Sequence, residues 1–290
     1  MNVVLKLSPA AIEKVKADWG KFQKTSNNQY ISFFAQHNGT SVSIYSSGKV
    51  MFQGSGAESA AKAFGHETAN KPDFQAPIIG TDEVGNGSYF GPLVVVASFI
   101  EEDDVAWLKK LGVDDSKKMT DKHILEIADQ VMERIKHLPL TVSPSKYNEV
   151  IASGYNAVSI KVALHNQAIY LLEKRIARPA KAIIIDAFTT EKNYNKYLKK
   201  EKHQVAGQVS LLPKAESQYL AVATSSVIAR FLFLEGLKEL SSLAALELPS
   251  GAGSKSDKVA AQILQSGDEL GQYAKLHFAN TQKAMKIAGQ

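Results

Sequence analysis

Cysteine is absent from this 290-residue sequence, which excludes disulfides and thiolate metal sites. Any metal must be held by carboxylates or histidines, and a reducing cytoplasm is the expected location. The opening residues, Met1 to Pro9, lack a basic segment followed by an apolar one, so no signal peptide is read there. The longest apolar stretch lies near Leu93–Ile100. It falls far short of the ~20 residues of a membrane-spanning helix, and no membrane partner is expected. Internal repeats and low-complexity tracts are also missing. A large excess of one charge is missing too: 34 Lys and Arg against 29 Asp and Glu leave a net charge of +5. This mildly basic balance fits a polyanionic partner without demanding one.

What is present is ordinary globular chemistry, 44% hydrophobic and 22% charged, at a length suited to one large or two unequal domains. Ser8-Pro9 opens a helix, with Ser at the N-cap and Pro at the first helical position. Ile12, Val15 and Trp19 then share one face. The aromatic-rich stretch Tyr30–Gln36, the turn Asn38-Gly39, the alternating strand Ser41–Tyr45, the turn Ser46-Ser47-Gly48 and the strand Lys49–Gln53 read as antiparallel strands. Ala57–Phe64 reads as helical. Residues 65–76 have no periodicity and read as a linker, which gives a small α/β domain over 1–64 and a second domain over 77–290. Over 1–76, eight lysines face five acidic residues, so the N-terminal part is the more basic per residue.

In the second domain, Ile78–Val84 and Leu93–Ile100 are apolar strands joined by a glycine-rich turn. Asp121–Lys136 and Asn156–Arg178 are helices, and Leu138–Val142 is a candidate strand. Lys181–Asp186 is a short buried strand, and Val205–Leu212 is a further candidate. Ala215–Leu240 is a long helix, and the tail from Ser256 to Ala288 reads as two or three short ones. This order argues for an α/β fold, a mixed sheet flanked by helices.

Chemistry concentrates at Asp82-Glu83, at the end of an apolar strand. Buried unpaired carboxylates cost several kcal/mol, so such acids are paired, protonated or metal-bound. Neighbours on a strand face opposite sides, so convergence of the pair requires a bend, for which Val84-Gly85 supplies freedom. The alternative is a strand ending in a solvated acidic turn. Asp186 ends a second buried strand, where open sheets place ligand groups; otherwise it caps the helix following at Thr189-Thr190-Glu191. Glu216 lies near the start of the long helix, where dipole electrostatics alone would also explain it. Four acids without a thiol suit Mg2+ or Mn2+. A pair of such ions can clamp a phosphodiester, although spacing does not show that the acids converge.

The segment Asp82-Glu83-Val84-Gly85-x-Gly87-x-x-x-Gly91-Pro92 resembles the signature of the type 2 ribonucleases H. Asp115-Ser116-Lys117 resembles that family's Asp-Ser-Lys element. Lys214-Ala215-Glu216-Ser217 followed by Ala221–Arg230 resembles the helix carrying its fourth acid. Gly85-Asn86-Gly87 with Ser88-Tyr89-Phe90, Glu rather than Asp at 216, and the N-terminal hairpin Ile44–Gly54 are features of the HIII branch. The N-terminal unit that contains this hairpin, 1–64, resembles the TATA-binding-protein-like domain of that branch.

The resemblance implies a ribonuclease H-like catalytic domain and an endonuclease that cuts the RNA strand of RNA–DNA hybrids, leaving 5′-phosphate and 3′-hydroxyl ends. Asp82, Glu83, Asp186 and Glu216 would be catalytic and would hold two Mg2+ or Mn2+ ions, with Asp82 bridging. Gly85, Asn86 and Gly87 would read the 2′-hydroxyl, and Ser116, Lys117 and Lys118 would contact phosphate. The small domain would grip the hybrid, and a monomer is expected. Tyr30, Phe33, Tyr45 and Phe52 are its aromatic candidates, at least half of them core. His165 faces either the groove or, as a lone helical histidine more often does, the core, and Lys192–His203 either tracks a nucleic-acid backbone or, more commonly for such a run, is a solvated helix. Two other functions compete: excision of single ribonucleotides from duplex DNA in the manner of HII, and binding of hybrids without cutting.

Overall fold

The computed structural model describes residues 2–65, 74–113, 119–205 and 207–289. The chain divides into two compact units, 1–70 and 71–290. The bulk of the linker segment, 66–73, lies outside the described residues, as do Ser116, Lys117 and Lys118.

The first unit is a four-stranded antiparallel sheet of β1 (Asn2–Lys6), β2 (Ile31–His37), β3 (Thr40–Tyr45) and β4 (Lys49–Gly54), in the order β1-β4-β3-β2. Helices α1 (Pro9–Trp19) and α2 (Ala57–Lys62) complete it. The Ser8 hydroxyl accepts from the Ala11 amide, so the Ser-Pro signal forms the expected cap. At the hairpin turn Asn38 and Gly39 both have positive φ, 44° and 72°, the conformation that Asn-Gly adopts most readily. One strand was not foreseen: β1 is short, and it pairs with a partner distant in sequence, Leu5 with Val50. Alternation sends Val3, Phe33, Ala35, Val42, Ile44, Val50 and Phe52 into one core with Val15, Ala57 and Ala61. Of the four aromatic candidates, Phe33 and Phe52 are core, Tyr30 is exposed and Tyr45 is partly exposed.

The second unit is built on a five-stranded mixed sheet of β5 (Ile78–Val84), β6 (Leu93–Ile100), β7 (Lys136–Val142), β8 (Ala182–Asp186) and β9 (Val209–Leu212), in the order β7-β6-β5-β8-β9. β5 runs antiparallel to β6 and parallel to β8. Even-numbered β5 residues belong to the core beneath the long helix α8 (Leu220–Ala244), while Ile79 belongs to the core beneath α6 (Ala157–Glu173). Helices α3 (Glu102–Leu111), α4 (Asp121–Arg134), α5 (Pro144–Ala152), α7 (Glu191–Leu198), α9 (Ser254–Ser266) and α10 (Ala279–Ala288) complete the unit. Helix α3 was missed in the sequence, although Glu101 and Asp104 form a reciprocal capping box. Helix α5 was missed too, and it opens on the same Ser-Pro signal as α1, at Ser143.

Helix α8 is apolar along most of its length. It is long and apolar enough to cross a membrane, which a search for one unbroken apolar run overlooks. Here 67% of its most apolar window is buried, and the helix packs across β5 and β6. Contact is closest at Gly80, where a Cβ would lie 2.3 Å from the Ala221 carbonyl carbon and the Val222 amide nitrogen. Small residues on α8 continue the fit, and Ser225 Oγ donates to the Gly80 carbonyl at 2.8 Å. Both sides of the Gly80 contact are backbone, so a methyl there forces the helix off the sheet. Gly80→Ala is therefore expected to destabilise the second unit by about 3 kcal/mol. Chemical denaturation checks this; a loss below about 0.5 kcal/mol, the size of a surface change, would contradict the packing.

Candidate active site

The pairing of β5 with β8 runs in parallel register from Ile78–Ala182 to Thr81–Ile185. The next residues, Asp82 and Asp186, therefore lie side by side on two neighbouring parallel strands, Asp186 at the end of β8 and Asp82 near the end of β5. The expected bend between Asp82 and Glu83 does not occur. β5 keeps unbroken register with β6 from Ile78 to Val84. Asp82 consequently faces α8 and Glu83 faces α6.

Each acid is met by a different helix. Ser226 of α8 hydrogen-bonds Asp82. From α6, Lys161 Nζ donates to Glu83 Oε1 at 2.8 Å, and His165 Nε2 lies 3.0 Å from Oε2. The other imidazole nitrogen, Nδ1, lies 2.7 Å from Thr81 Oγ1. Phe188 stacks on His165 and lies beneath the Lys161 ammonium. The two acids are joined through the backbone, with the Glu83 amide donating to Asp82 Oδ1 at 2.8 Å.

Both acids border one cleft of about 480 Å³, together with Asp186, Gly85, Asn86 and Gly87. Burial pushes the Asp82 carboxyl well above the usual carboxylate range, and the charges of Glu83 and Asp186 push it further. Burial acts in the same direction on Glu83, but the hydrogen bond and charge of His165, with those of Lys161, outweigh it and hold that carboxyl low. Neighbouring acids thus have opposite proton affinities.

Asp186 does not cap the following helix, because Thr190 does. Instead, Asp186 Oδ1 accepts the Ala215 amide at 2.8 Å. Glu216 follows in a 3-10 turn, Ala215–Ser217, separate from α8, so it is not in the first turn of the long helix. It is buried, and it is not among the residues bordering the cleft. Among the described residues, no three acidic or histidine side chains already close around one point. The donor set nevertheless fits a hard divalent cation: it is all oxygen, and the mutual repulsion that raises Asp82 is what such a cation relieves.

The glycine turn forms one lip of the cleft. Gly85 has φ +98°, and a Cβ on it would lie 2.1 Å from the Pro92 carbonyl oxygen. A Cβ on Gly87 would meet nothing within 4 Å. The backbone fold therefore requires the first glycine, whereas the second leaves open space beside the acids. Arg230 and Asp121, paired through two bonds of 2.9 Å, border the same cleft.

Sequence reading missed Lys161, Ser226 and the Arg230–Asp121 pair. His165 is indeed fully buried, but its partner is Glu83. The available signal was the four-residue spacing of Lys161 and His165, which puts two basic groups on one face of an otherwise apolar helix.

Comparison with known proteins agrees with this geometry. A family model for ribonuclease HII matches residues 79–281. Residues 2–76 match a model described as a domain of unknown function, DUF3378. A ribonuclease HIII from Lactococcus lactis subsp. lactis is 58% identical over 290 residues, covering 99% of each chain. One from Streptococcus pneumoniae is 56% identical over 264 residues, covering 90% of each. The crystal structure of Bst-RNase HIII in complex with Mn2+ superposes with a TM-score of 0.72 at 36% identity, over 99% of each chain. With a catalytic-domain match and near-full-length relatives of this similarity, the chain belongs to the ribonuclease HII family, in its ribonuclease HIII branch.

Proposed function

We infer that the chain is an endonuclease that hydrolyses the RNA strand of RNA–DNA hybrids, leaving 5′-phosphate and 3′-hydroxyl ends. The observation that carries this reading is the cleft in which Asp82, Glu83 and Asp186 meet the open glycine turn. Asp82, Glu83 and Asp186 would hold two Mg2+ or Mn2+ ions. Glu216 joins the set because it follows the Ala215 amide that fixes Asp186. Bound there, such ions supply Lewis-acid charge to the scissile phosphate and its attacking water.

The remaining work belongs to the protein. Lys161 and His165 keep Glu83 ionised and aimed, so this carboxylate needs no proton loss before use. Ser226 and the Glu83 amide orient Asp82. Gly85-Asn86-Gly87 brings backbone to the cleft lip, close enough to sense a ribose 2′-hydroxyl. Ser116, Lys117 and Lys118 are assigned to phosphate contact from their sequence motif alone. Excision of single ribonucleotides in the manner of HII is not favoured, given the kinship with ribonuclease HIII. A binding protein that does not cut is disfavoured by the intact acid set. The chain acts as a monomer in the cytoplasm, in keeping with its lack of cysteine.

The N-terminal unit, 1–64, is assigned to gripping the hybrid. Its helix-free sheet face carries Val4, Met51, Phe34 and Tyr45, with Lys6 directly opposite Lys49. Lysines suit the phosphate backbone, and the rings suit sugars.

Asp82→Asn is expected to reduce cleavage of a hybrid by at least ~10³-fold while hybrid affinity stays within about threefold. Cleavage by gel assay with anisotropy binding checks this, and near-full activity would overturn the metal assignment. Replacing Lys6 and Lys49 by Glu is expected to raise KM for a hybrid roughly tenfold and to flatten its salt dependence, with kcat little changed. An unchanged KM across salt concentrations would remove the gripping role from this face.

A further inference from the structure

The glycine turn is held from behind by a chain segment about 160 to 190 residues further on. From Ser88 to Gly91 nearly every backbone polar group has an identified partner. The Tyr89 amide donates to the Gly251 carbonyl at 3.0 Å, and the Gly91 amide to the Tyr273 carbonyl at 3.2 Å. The Tyr89 carbonyl accepts from the Lys275 amide at 2.9 Å. Ser88 Oγ donates to the Phe90 carbonyl and accepts from the Gly251 amide. The Tyr89 hydroxyl lies 2.9 Å from Thr281 Oγ1. The two remaining carbonyls, of Ser88 and Gly91, both accept from Lys275 Nζ, at 2.8 and 2.6 Å.

Lys275 is 1% exposed. Burying an amine costs free energy that an apolar side chain would not, so its place calls for a compensating role. Burial alone lowers its pKa to about 7. A neutral amine still offers two N–H donors, which matches the two carbonyls it meets, so both can be satisfied in either protonation state.

We propose that Lys275 is a positioning residue for substrate recognition, pinning Ser88 and Gly91 so that Gly85-Asn86-Gly87 is held open toward the hybrid. This rests on the assignment of the glycine turn as the 2′-hydroxyl reader. Lys275 itself lies behind the turn and touches no substrate.

The test uses the full chain with Lys275→Met, which keeps length and removes the donors, and Lys275→Gln, which restores two N–H groups. Hydrogen–deuterium exchange is read over residues 85–91, and steady-state cleavage on a hybrid. For Lys275→Met we expect faster exchange confined to that turn and a roughly tenfold higher KM, with kcat changed less than about threefold. Lys275→Gln, whose shorter side chain reaches the two carbonyls less well, is expected to recover part of both, giving intermediate exchange and KM. Unchanged exchange, or a KM within about twofold of wild type, overturns the proposal. If Lys275→Met does not fold, Lys275→Gln carries the test: intermediate exchange and KM support it, and wild-type values overturn it. Gly87→Ala separates the two layers, because its methyl would meet no protein atom within 4 Å. A raised KM there, with Lys275→Met unaffected, sinks the role of Lys275 alone. An unchanged KM in Gly87→Ala removes the turn as reader and the proposal with it.

Discussion

Three carboxylates near the C-terminal ends of two adjacent parallel strands are the constraint around which the catalytic unit is arranged. Strand β5 is buried from Ile78 to Asp82 and Glu83 is nearly so, which leaves both acids little access to water. The sheet separates the pair to opposite faces, and each face must supply its own answer. On the α6 side the answer is cationic, Lys161 with His165. On the α8 side it is a hydroxyl and an amide, which leave Asp82 with a strongly raised proton affinity. That residual electrostatic cost, intensified by Asp186, is what a divalent cation bound in the cleft would relieve. Close packing of α8 over Gly80 brings Ser226 within reach of Asp82.

Much of this was legible in the sequence. Ser8-Pro9, Asn38-Gly39 and the apolar runs ending on Asp82 and Asp186 all form what their local chemistry dictates. Sites fixed by local backbone preference are readable because only a few residues decide them. Long-range partners were not readable. Strand β1 depends on pairing with β4, and the Lys161–Glu83 ion pair spans 78 residues. A lysine in a helix gives no sign of the acid it will meet. The expected bend at Asp82-Glu83 was a false requirement: two side chains on opposite faces can still border one cleft at the open end of a strand.

The glycine turn shows the same division. Its glycines could be read as freedom for backbone approach, and Gly85 does adopt a conformation closed to other residues. The reason the turn keeps its shape lies in Gly251, Tyr273, Lys275 and Thr281, which no local pattern connects to it. The C-terminal segment thereby holds the turn from behind, and on the proposal above it would serve substrate recognition without touching the substrate.

The central claim is that Asp82, Glu83 and Asp186 form one divalent-metal site. A crystal of the full chain soaked in Mn2+ and measured at the manganese absorption edge tests it most directly. The account predicts an anomalous peak in the cleft within coordination distance of the Asp82 carboxylate, shared with Glu83 or Asp186. A saturated crystal with no peak beside Asp82, or with Mn2+ held only elsewhere, would contradict it.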